Sequence, residues 1–421
     1  MKFEKLIIVV LFLSIISCGQ KETKFEKTNS NSDNGIRIGL IDTIHSKILN
    51  QDRELIIYIP ESAKDPNRKK SQYPVVYLLD GGYNFVQFIG MLKLYSEMHD
   101  TKILPEMIVV GIPNIDLESR MMDLSPTSAG NPELYGGGDK FLEFIKKELF
   151  PQIEQNYPVS KNRTIVGSSL GGLAVINALT FHPEMFKNYL MIDGSLDFDN
   201  ELFLNNPDYS LKGKDLKGKN LYIGIANTAT YGSNLESIKK DTIRTNRFVR
   251  YSLELVKRIE QMQTDLNMEW KYYEKDTHGS TAFLAQMDGF RFFYSWFEFK
   301  GEHKYRNKYF EPKSKKDRFA TLTKNHFNEV SKKLGYEFKP EQNWLSGYAY
   351  SLNSFQNQPK QAIETYELNI EYYPNSLKVY EDLADFYLSQ NDTISAKKYY
   401  NKALDLEDNT EIQTKLIKLG I

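Results

Sequence analysis

The chain has 421 residues, with 54 basic and 55 acidic side chains and a formal net charge of −1 at pH 7. This balance gives no electrostatic reason to bind nucleic acid or an anionic lipid surface. The single cysteine, Cys18, excludes an intramolecular disulfide and any metal site built from several cysteines. The length is sufficient for one large domain and a second, smaller one.

The first residues are typical of a bacterial lipoprotein leader. Two lysines precede an apolar stretch at residues 6–16, which is shorter than the roughly 20 residues that span a bilayer but suits a signal peptide. A small residue and then Cys18 follow, which predicts a signal peptide over residues 1–17 and lipidation of Cys18. An ordinary signal peptide with a chance cysteine is the alternative. Residues 18–37 are polar and predict a flexible tether, so we expect a lipid-anchored protein of the bacterial cell envelope.

Between residues 38 and 300, short apolar runs alternate with segments of helical periodicity. Continuous apolar runs such as residues 75–79 indicate strands that are covered on both faces. Their alternation with helices predicts an α/β domain with a doubly wound, mostly parallel sheet. We expect strands at residues 54–60, 74–79, 107–111, 163–167, 189–193, 221–226 and 269–274. We expect helices at residues 140–156, 172–181, 245–264 and 282–297.

Residues 301–421 predict a small all-helical domain. Tyr366 and Tyr400 are 34 residues apart, which is the period of tetratricopeptide repeats, and about two such repeats are expected. Two repeats alone rarely bury enough surface, so we expect a helix over residues 324–334 and the α/β domain to cover one end. A plain helical bundle is the alternative. Because helical repeats present extended surfaces, this domain is a candidate site for a protein partner.

The sequence Gly-Ser-Ser-Leu-Gly at residues 167–171 has the spacing of a nucleophile elbow, in which a serine lies on a sharp turn between a strand and a helix. The two glycines permit the strained turn and the close approach of the helix. The spacing alone is a weak signal, but an expected strand precedes it and an expected helix follows it. Ser169 is therefore the candidate nucleophile, and the backbone N–H of Leu170 is a candidate oxyanion donor.

A general base is expected later in the chain, in a loop after a late strand. Of the six histidines, two precede Ser169, one lies at the end of the helix that follows it, and two fall outside the α/β region. The remaining one, His278, comes directly after the expected strand at residues 269–274 and stands beside a glycine. We therefore expect His278 to accept the proton of Ser169.

The carboxylate that orients the histidine is expected after the strand at residues 221–226. Glu236 and Asp241 lie there, and Asp241 is preferred on position alone. A serine–histidine pair without a third member stays open. A second oxyanion donor is expected from Gly82, in the Asp-Gly-Gly loop after the strand at residues 74–79, because glycine lets a backbone amide face the substrate.

Together these residues resemble the "Putative esterase" (esterase D and siderophore esterase-like) family of α/β hydrolases, which also includes feruloyl and acetylxylan esterases. The resemblance spans about residues 44–297. Besides the elbow, it is carried by residues 77–82, by Arg-Met-Met-Asp-Leu-Ser-Pro at residues 120–126 and by Asp-Thr-His-Gly-Ser at residues 276–280. Members similar to siderophore esterases often have a glutamate shortly after the late strand, where this chain has Asn227. Because of this departure, the resemblance does not identify the acid of this chain.

The resemblance implies a serine ester hydrolase that acts through an acyl-enzyme on a siderophore ester, or on a feruloyl or acetyl ester of a carbohydrate. It implies no metal and no cofactor. It also implies that Arg120 and Asp123 form a structural ion pair rather than catalytic groups. Two other functions fit the same sequence: an envelope lipoprotein that binds without catalysis, and an acyltransferase that uses Ser169 and His278.

Overall fold

The computed structural model describes residues 37–64, 72–98, 102–305, 307 and 309–420. The expected signal peptide, Cys18 and nearly all of the expected tether lie outside the described residues. The described residues from Ile38 onwards form one compact unit. Within the part of the chain that the structure describes, no helix has both the length and the apolar character needed to cross a membrane.

An eight-stranded sheet lies at the centre of the first 300 residues. Its strands are β1 (Leu40–Ser46), β2 (Gln51–Tyr58), β3 (Tyr73–Leu79), β4 (Ile108–Ile112), β5 (Val159–Ser168), β6 (Asn188–Ile192), β7 (Asn220–Ala226) and β8 (Asn267–Tyr273). They are ordered β1-β2-β4-β3-β5-β6-β7-β8. β1–β2 and β2–β4 are antiparallel, and all other neighbours are parallel. The prediction of an α/β fold with a mostly parallel, doubly wound sheet is confirmed.

The burial of the strands explains their sequence patterns. β3, β4 and β6 are buried at every residue because apolar layers cover both faces of the sheet. β1 was not expected from the sequence. It is an edge strand in which most residues are exposed, so it lacks the continuous apolar run that marks the inner strands.

In the described part of the chain, eight helices lie between these strands and a ninth follows β8. They are α1 (Gly81–Ser96), α2 (Leu117–Leu124), α3 (Gly138–Phe144), α4 (Phe150–Asn156), α5 (Leu170–Phe181), α6 (Leu202–Asn205), α7 (Leu235–Ile238), α8 (Arg247–Gln261) and α9 (Thr281–Phe293). A π-helical turn, Ile145–Leu149, joins α3 to α4. α1 was not expected, because its first two residues are glycines and read as a loop.

The regular secondary structure of the described residues beyond Gly301 is helical, which confirms the second all-α part. Its helices are α10 (Glu302–Tyr305), α11 (Phe319–Leu334), α12 (Gln342–Ser354), α13 (Pro359–Tyr372), α14 (Leu377–Ser389), α15 (Thr393–Leu404) and α16 (Thr410–Lys418). α12 packs on α13 and α14 on α15. Val330 and Leu334 of α11 join an apolar layer of the α/β part. The assignment of these helix pairs to tetratricopeptide repeats stays a prediction.

Candidate active site

Ser169 occupies a sharp turn between the end of β5 and the start of α5. Its backbone has φ 57° and ψ −120°, a strained conformation for a residue with a side chain. A methyl group at Gly167 would lie 2.2 Å from the carbonyl oxygen of Gly171, so only glycine lets the strand and the helix approach this closely. The local structure is thus the strand, turn and helix of a nucleophile elbow.

The neighbouring parallel strands bring further polar residues to the same edge of the sheet. β5 is followed by β6, β7 and β8 in the sheet, and all four point the same way. The residues after them therefore gather at one edge, where open α/β sheets bind ligands. Ser169 follows β5, Asp193 follows β6 and His278 follows β8.

Asp193 holds the imidazole of His278. Its Oδ2 lies 2.5 Å from Nδ1 of His278, and its Oδ1 accepts a hydrogen bond from the backbone N–H of Ala226 at 3.1 Å. The Asp193 side chain is only 3% exposed. Because a carboxylate can only accept a hydrogen bond, the proton of a neutral imidazole stays on Nδ1, and Nε2 is left free to accept a second proton.

The same contact sets the basicity of His278. The hydrogen bond with Asp193 raises the pKa of His278 above its ordinary value, together with the negative charge of that carboxylate. Partial burial of the ring and the positive charge of Arg120 act in the opposite direction. A histidine with a raised pKa and a free Nε2 is suited to accept a proton from a hydroxyl group.

The structure does not place the expected acid beside the histidine. Asp241 pairs with Arg250 at 2.8 Å, and the alternative, Glu236, is exposed and pairs with Lys239 at 2.8 Å. The prediction of Asp241 is wrong because it assumed that the acid follows β7, whereas the carboxylate that contacts His278 follows β6.

The sequence does not single out Asp193, because its pattern predicts a strand over the whole of residues 189–193. In the structure β6 ends at Ile192, and Asp193 has a φ of 42° in the turn that follows. The available signal was an Asp-Gly pair directly after an apolar run, at the edge where the elbow lies. Asn227, where the family often has a glutamate, instead donates its side-chain N–H to the carbonyl of Glu274 at 2.7 Å.

The loop after β6 is also bound to the elbow itself. The backbone N–H of Ser169 donates to the carbonyl of Ile192 at 3.0 Å, and the N–H of Ser195 donates to the carbonyl of Ser169 at 3.1 Å. The two hydroxyl oxygens, Oγ of Ser169 and Oγ of Ser195, lie 3.3 Å apart. Ser195 was not singled out from the sequence.

The two expected oxyanion donors both lie at helix N-termini. Leu170 is the first residue of α5, and Gly82 is the second residue of α1, so neither backbone N–H has an acceptor within its own helix. The next amide, that of Tyr83, donates to the carbonyl of Asp80 at 3.0 Å. Oδ2 of Asp80 would lie 3.2 Å from a methyl group at Gly171, so the α1 loop packs against the start of α5.

A bidentate ion pair fixes the loop that contains Gly82. Arg120 donates from Nε to Oδ1 of Asp80 at 2.6 Å and from an Nη to Oδ2 at 2.9 Å. Asn114 adds a third hydrogen bond to Oδ1, at 2.6 Å. The expected pair of Arg120 with Asp123 is therefore wrong, since Asp123 pairs with the buried Arg53.

These groups have the roles that acyl transfer requires: a hydroxyl on a strained turn, an imidazole oriented by a buried carboxylate, and free amides at helix N-termini. Among the residues that the structure describes, no three histidine, cysteine or acidic side chains lie together in a way that could hold a metal ion. Arg120 contributes a positive charge beside the imidazole.

Comparison with known proteins gives a consistent result. The family model described as "Putative esterase" matches residues 46–311. The ferri-bacillibactin esterase BesA of Bacillus subtilis is 28% identical over 205 residues, which are 45% of this chain and 70% of that protein. A siderophore enterobactin esterase of Emericella nidulans is 30% identical over 158 residues, which cover 34% of this chain and 52% of that protein.

Among solved structures, an IroE-like serine hydrolase from Shewanella oneidensis superposes with a TM-score of 0.58 at 24% sequence identity. The match covers 79% of this chain and 99% of that one. At this identity the likeness concerns the fold alone.

Proposed function

Since the chain belongs to the "Putative esterase" family and is a carboxylic ester hydrolase, we propose that it is a serine enzyme with Ser169, His278 and Asp193 as its catalytic triad. The observation that carries the proposal is the 2.5 Å contact between Nδ1 of His278 and the buried carboxylate of Asp193, at the sheet edge where the elbow presents Ser169. A buried carboxylate on a partly exposed histidine is the arrangement that keeps Nε2 available for a serine proton.

In the first half of the reaction, Oγ of Ser169 attacks the ester carbonyl carbon while Nε2 of His278 takes the hydroxyl proton. The carbonyl oxygen becomes an oxyanion, and the N–H groups of Leu170 and Gly82 donate to it. When the intermediate collapses, the C–O bond to the alcohol breaks and His278 returns the proton to the leaving oxygen. The products are a free alcohol and an acyl ester on Ser169.

In the second half, His278 takes a proton from water and the resulting hydroxide attacks the acyl carbonyl. The same amides hold the second oxyanion. Collapse releases the carboxylic acid, and the proton on His278 returns to Oγ of Ser169, which restores the enzyme. Throughout, Asp193 keeps the imidazole in one tautomer and stabilises its positive charge.

We propose a siderophore ester as the substrate, supported by the siderophore esterases among the relatives. Feruloyl and acetyl esters of carbohydrates, which other members of the resembled family hydrolyse, are the alternative outcome. The test is a substrate panel with the purified full-length chain: p-nitrophenyl acetate and butyrate, a feruloyl ester, an acetylated xylan fragment and a trilactone siderophore. Turnover of the trilactone with a kcat/KM at least tenfold above the feruloyl and acetyl esters supports the proposal.

The matched control for this panel is Ser169→Ala beside Ser210→Ala, since Ser210 is a half-buried serine whose hydroxyl contacts Met262 and the N–H of Lys212. We expect Ser169→Ala to lose at least about 10³-fold in kcat and Ser210→Ala to stay within twofold of wild type. Equal rates for Ser169→Ala and wild type on every ester would contradict the proposal and favour a lipoprotein that only binds.

We also propose that the enzyme is attached to the bacterial envelope through a lipid on Cys18, because the sequence up to that residue has the pattern of a lipoprotein leader. Mass spectrometry of the mature N-terminus tests this. A diacylglyceryl-modified Cys18 as the first residue is the expected result, and an unmodified cysteine or cleavage elsewhere would contradict it.

A further inference from the structure

The three residues after β6 contact the nucleophile elbow in several ways. Asp193 holds the base, and Ser195 meets Ser169 twice, through its backbone N–H at 3.1 Å and through its hydroxyl at 3.3 Å. Gly194 between them packs closely, since its Cα would lie 3.0 Å from a methyl group at Gly172. The backbone segments that carry the two hydroxyls are therefore held close together.

The direction of the hydrogen bond between the two hydroxyls has a chemical consequence. A serine hydroxyl carries one proton and two lone pairs. If Ser169 donates to Ser195, its proton points away from the base. If Ser195 donates to Ser169, the proton of Ser169 is free for Nε2 of His278, and one lone pair of Oγ is free for the carbonyl carbon. Because Asp193 leaves Nε2 as an acceptor, only the second direction leaves the proton of Ser169 available for transfer to it.

We propose that Ser195 is a positioning residue that donates to Oγ of Ser169 and directs the proton of the nucleophile towards His278. This inference rests on the proposed function, because it assigns a further residue to the same reaction. The O···O distance of 3.3 Å is longer than the usual 2.5–3.0 Å, which makes this a weak hydrogen bond. Its loss should therefore reduce the rate of acylation about three- to tenfold.

The test is Ser195→Ala in the full-length chain, with two measurements. The first is the second-order rate constant for reaction of Ser169 with a fluorophosphonate, which depends on the nucleophile and not on ester recognition. The second is kcat and KM for p-nitrophenyl butyrate as a function of pH. We expect the fluorophosphonate rate and kcat to fall about three- to tenfold, with KM and the inflection pH of His278 unchanged.

Ser195→Thr is the conservative variant, because it keeps the hydroxyl, and we expect it to recover the wild-type rate to within about twofold. Ser210→Ala is the control for a serine removed elsewhere, and the melting temperature of each variant shows that it is folded. If threonine does not fold, Ser195→Cys replaces it as the variant with a weak donor and should lie between alanine and wild type.

Two results would overturn the inference: Ser195→Ala reacting with the fluorophosphonate as fast as wild type, or Ser195→Ala raising KM while kcat stays constant. The second result would indicate that Ser195 contacts the substrate and not the hydroxyl of Ser169. Failure of the proposed function looks different, because then Ser169→Ala keeps the hydrolytic rate of wild type. An inactive Ser169→Ala beside a normal Ser195→Ala refutes the role of Ser195 alone.

Discussion

Asp193→Asn replaces one carboxylate oxygen by NH2 without changing the size of a side chain that is 3% exposed. The two oxygens have different partners: the N–H of Ala226 donates to Oδ1 at 3.1 Å, and Nδ1 of His278 lies 2.5 Å from Oδ2. In the variant, the remaining oxygen must face the Ala226 amide, because an NH2 group cannot accept that bond. The new NH2 group then faces Nδ1 of His278.

This orientation reverses the tautomer of the histidine. Nδ1 becomes an acceptor, so the ring proton moves to Nε2, which can no longer take the proton of Ser169. The charge-assisted hydrogen bond to the protonated ring is lost as well, which corresponds to about 1.5–3 kcal/mol. Together, the wrong tautomer and the lost charge should lower kcat by about 10² to 10⁴.

The assay is hydrolysis of p-nitrophenyl butyrate by wild type, Asp193→Asn and Asp241→Asn in the full-length chain. Asp241→Asn is the matched control for two reasons. The sequence predicted Asp241 as the acid, and in the structure its carboxylate binds Arg250 and Asn246 instead of His278. We expect Asp241→Asn to stay within about threefold of wild type. The assignment of the acid is refuted if Asp193→Asn keeps more than a tenth of wild-type kcat, or if Asp241→Asn loses more activity than Asp193→Asn.

Three further outcomes are expected. As the pH is lowered, the kcat/KM of wild type should decrease with a single inflection at a pH above the ordinary histidine pKa, because a raised pKa keeps His278 protonated and unable to accept a proton up to a higher pH. An inflection at or below the ordinary histidine pKa would contradict this. Arg120→Met should move that inflection to higher pH, because the nearby cation lowers the pKa of His278 in wild type. It should also lower kcat about tenfold, because the loop that contains Asp80 loses its ion pair. An unchanged pH profile would show that the guanidinium does not act on the imidazole. Gly167→Ala should lower the free energy of unfolding by about 3 kcal/mol or more, measured by urea denaturation, because its methyl group would lie 2.2 Å from a backbone oxygen; a variant as stable as wild type would mean that the elbow relaxes easily.

Much of the fold could be predicted because inner strands of a parallel sheet are buried on both faces. Each of the seven expected strands overlaps a strand of the structure, and β3 is buried along its whole length. Among the elements that the sequence patterns missed, β1 and α1 have different physical origins. β1 lies at the exposed edge, and α1 opens with two glycines that sequence rules assign to a loop.

The candidate site divides in the same way. Ser169 and His278 could be proposed from the sequence because local patterns point to them: a strained turn needs glycines at fixed spacing, and a general base is expected after a late strand. That reasoning does not single out Asp193. A carboxylate needs only to reach Nδ1 of the histidine, and the ends of several strands lie at the same edge of the sheet. The resemblance implied a pair of Arg120 with Asp123, whereas the folded chain brings Arg120 to Asp80.

The sequence by itself determined the α/β class, the helical C-terminal part and the positions of the candidate nucleophile and base, because periodicity and glycine spacing act over a few residues. Only the tertiary structure decided which carboxylate orients His278 and which hydroxyl meets Ser169. These contacts join residues 85 and 26 positions apart. They depend on β5, β6 and β8 ending at one edge of the sheet, and no local pattern in the chain encodes that arrangement.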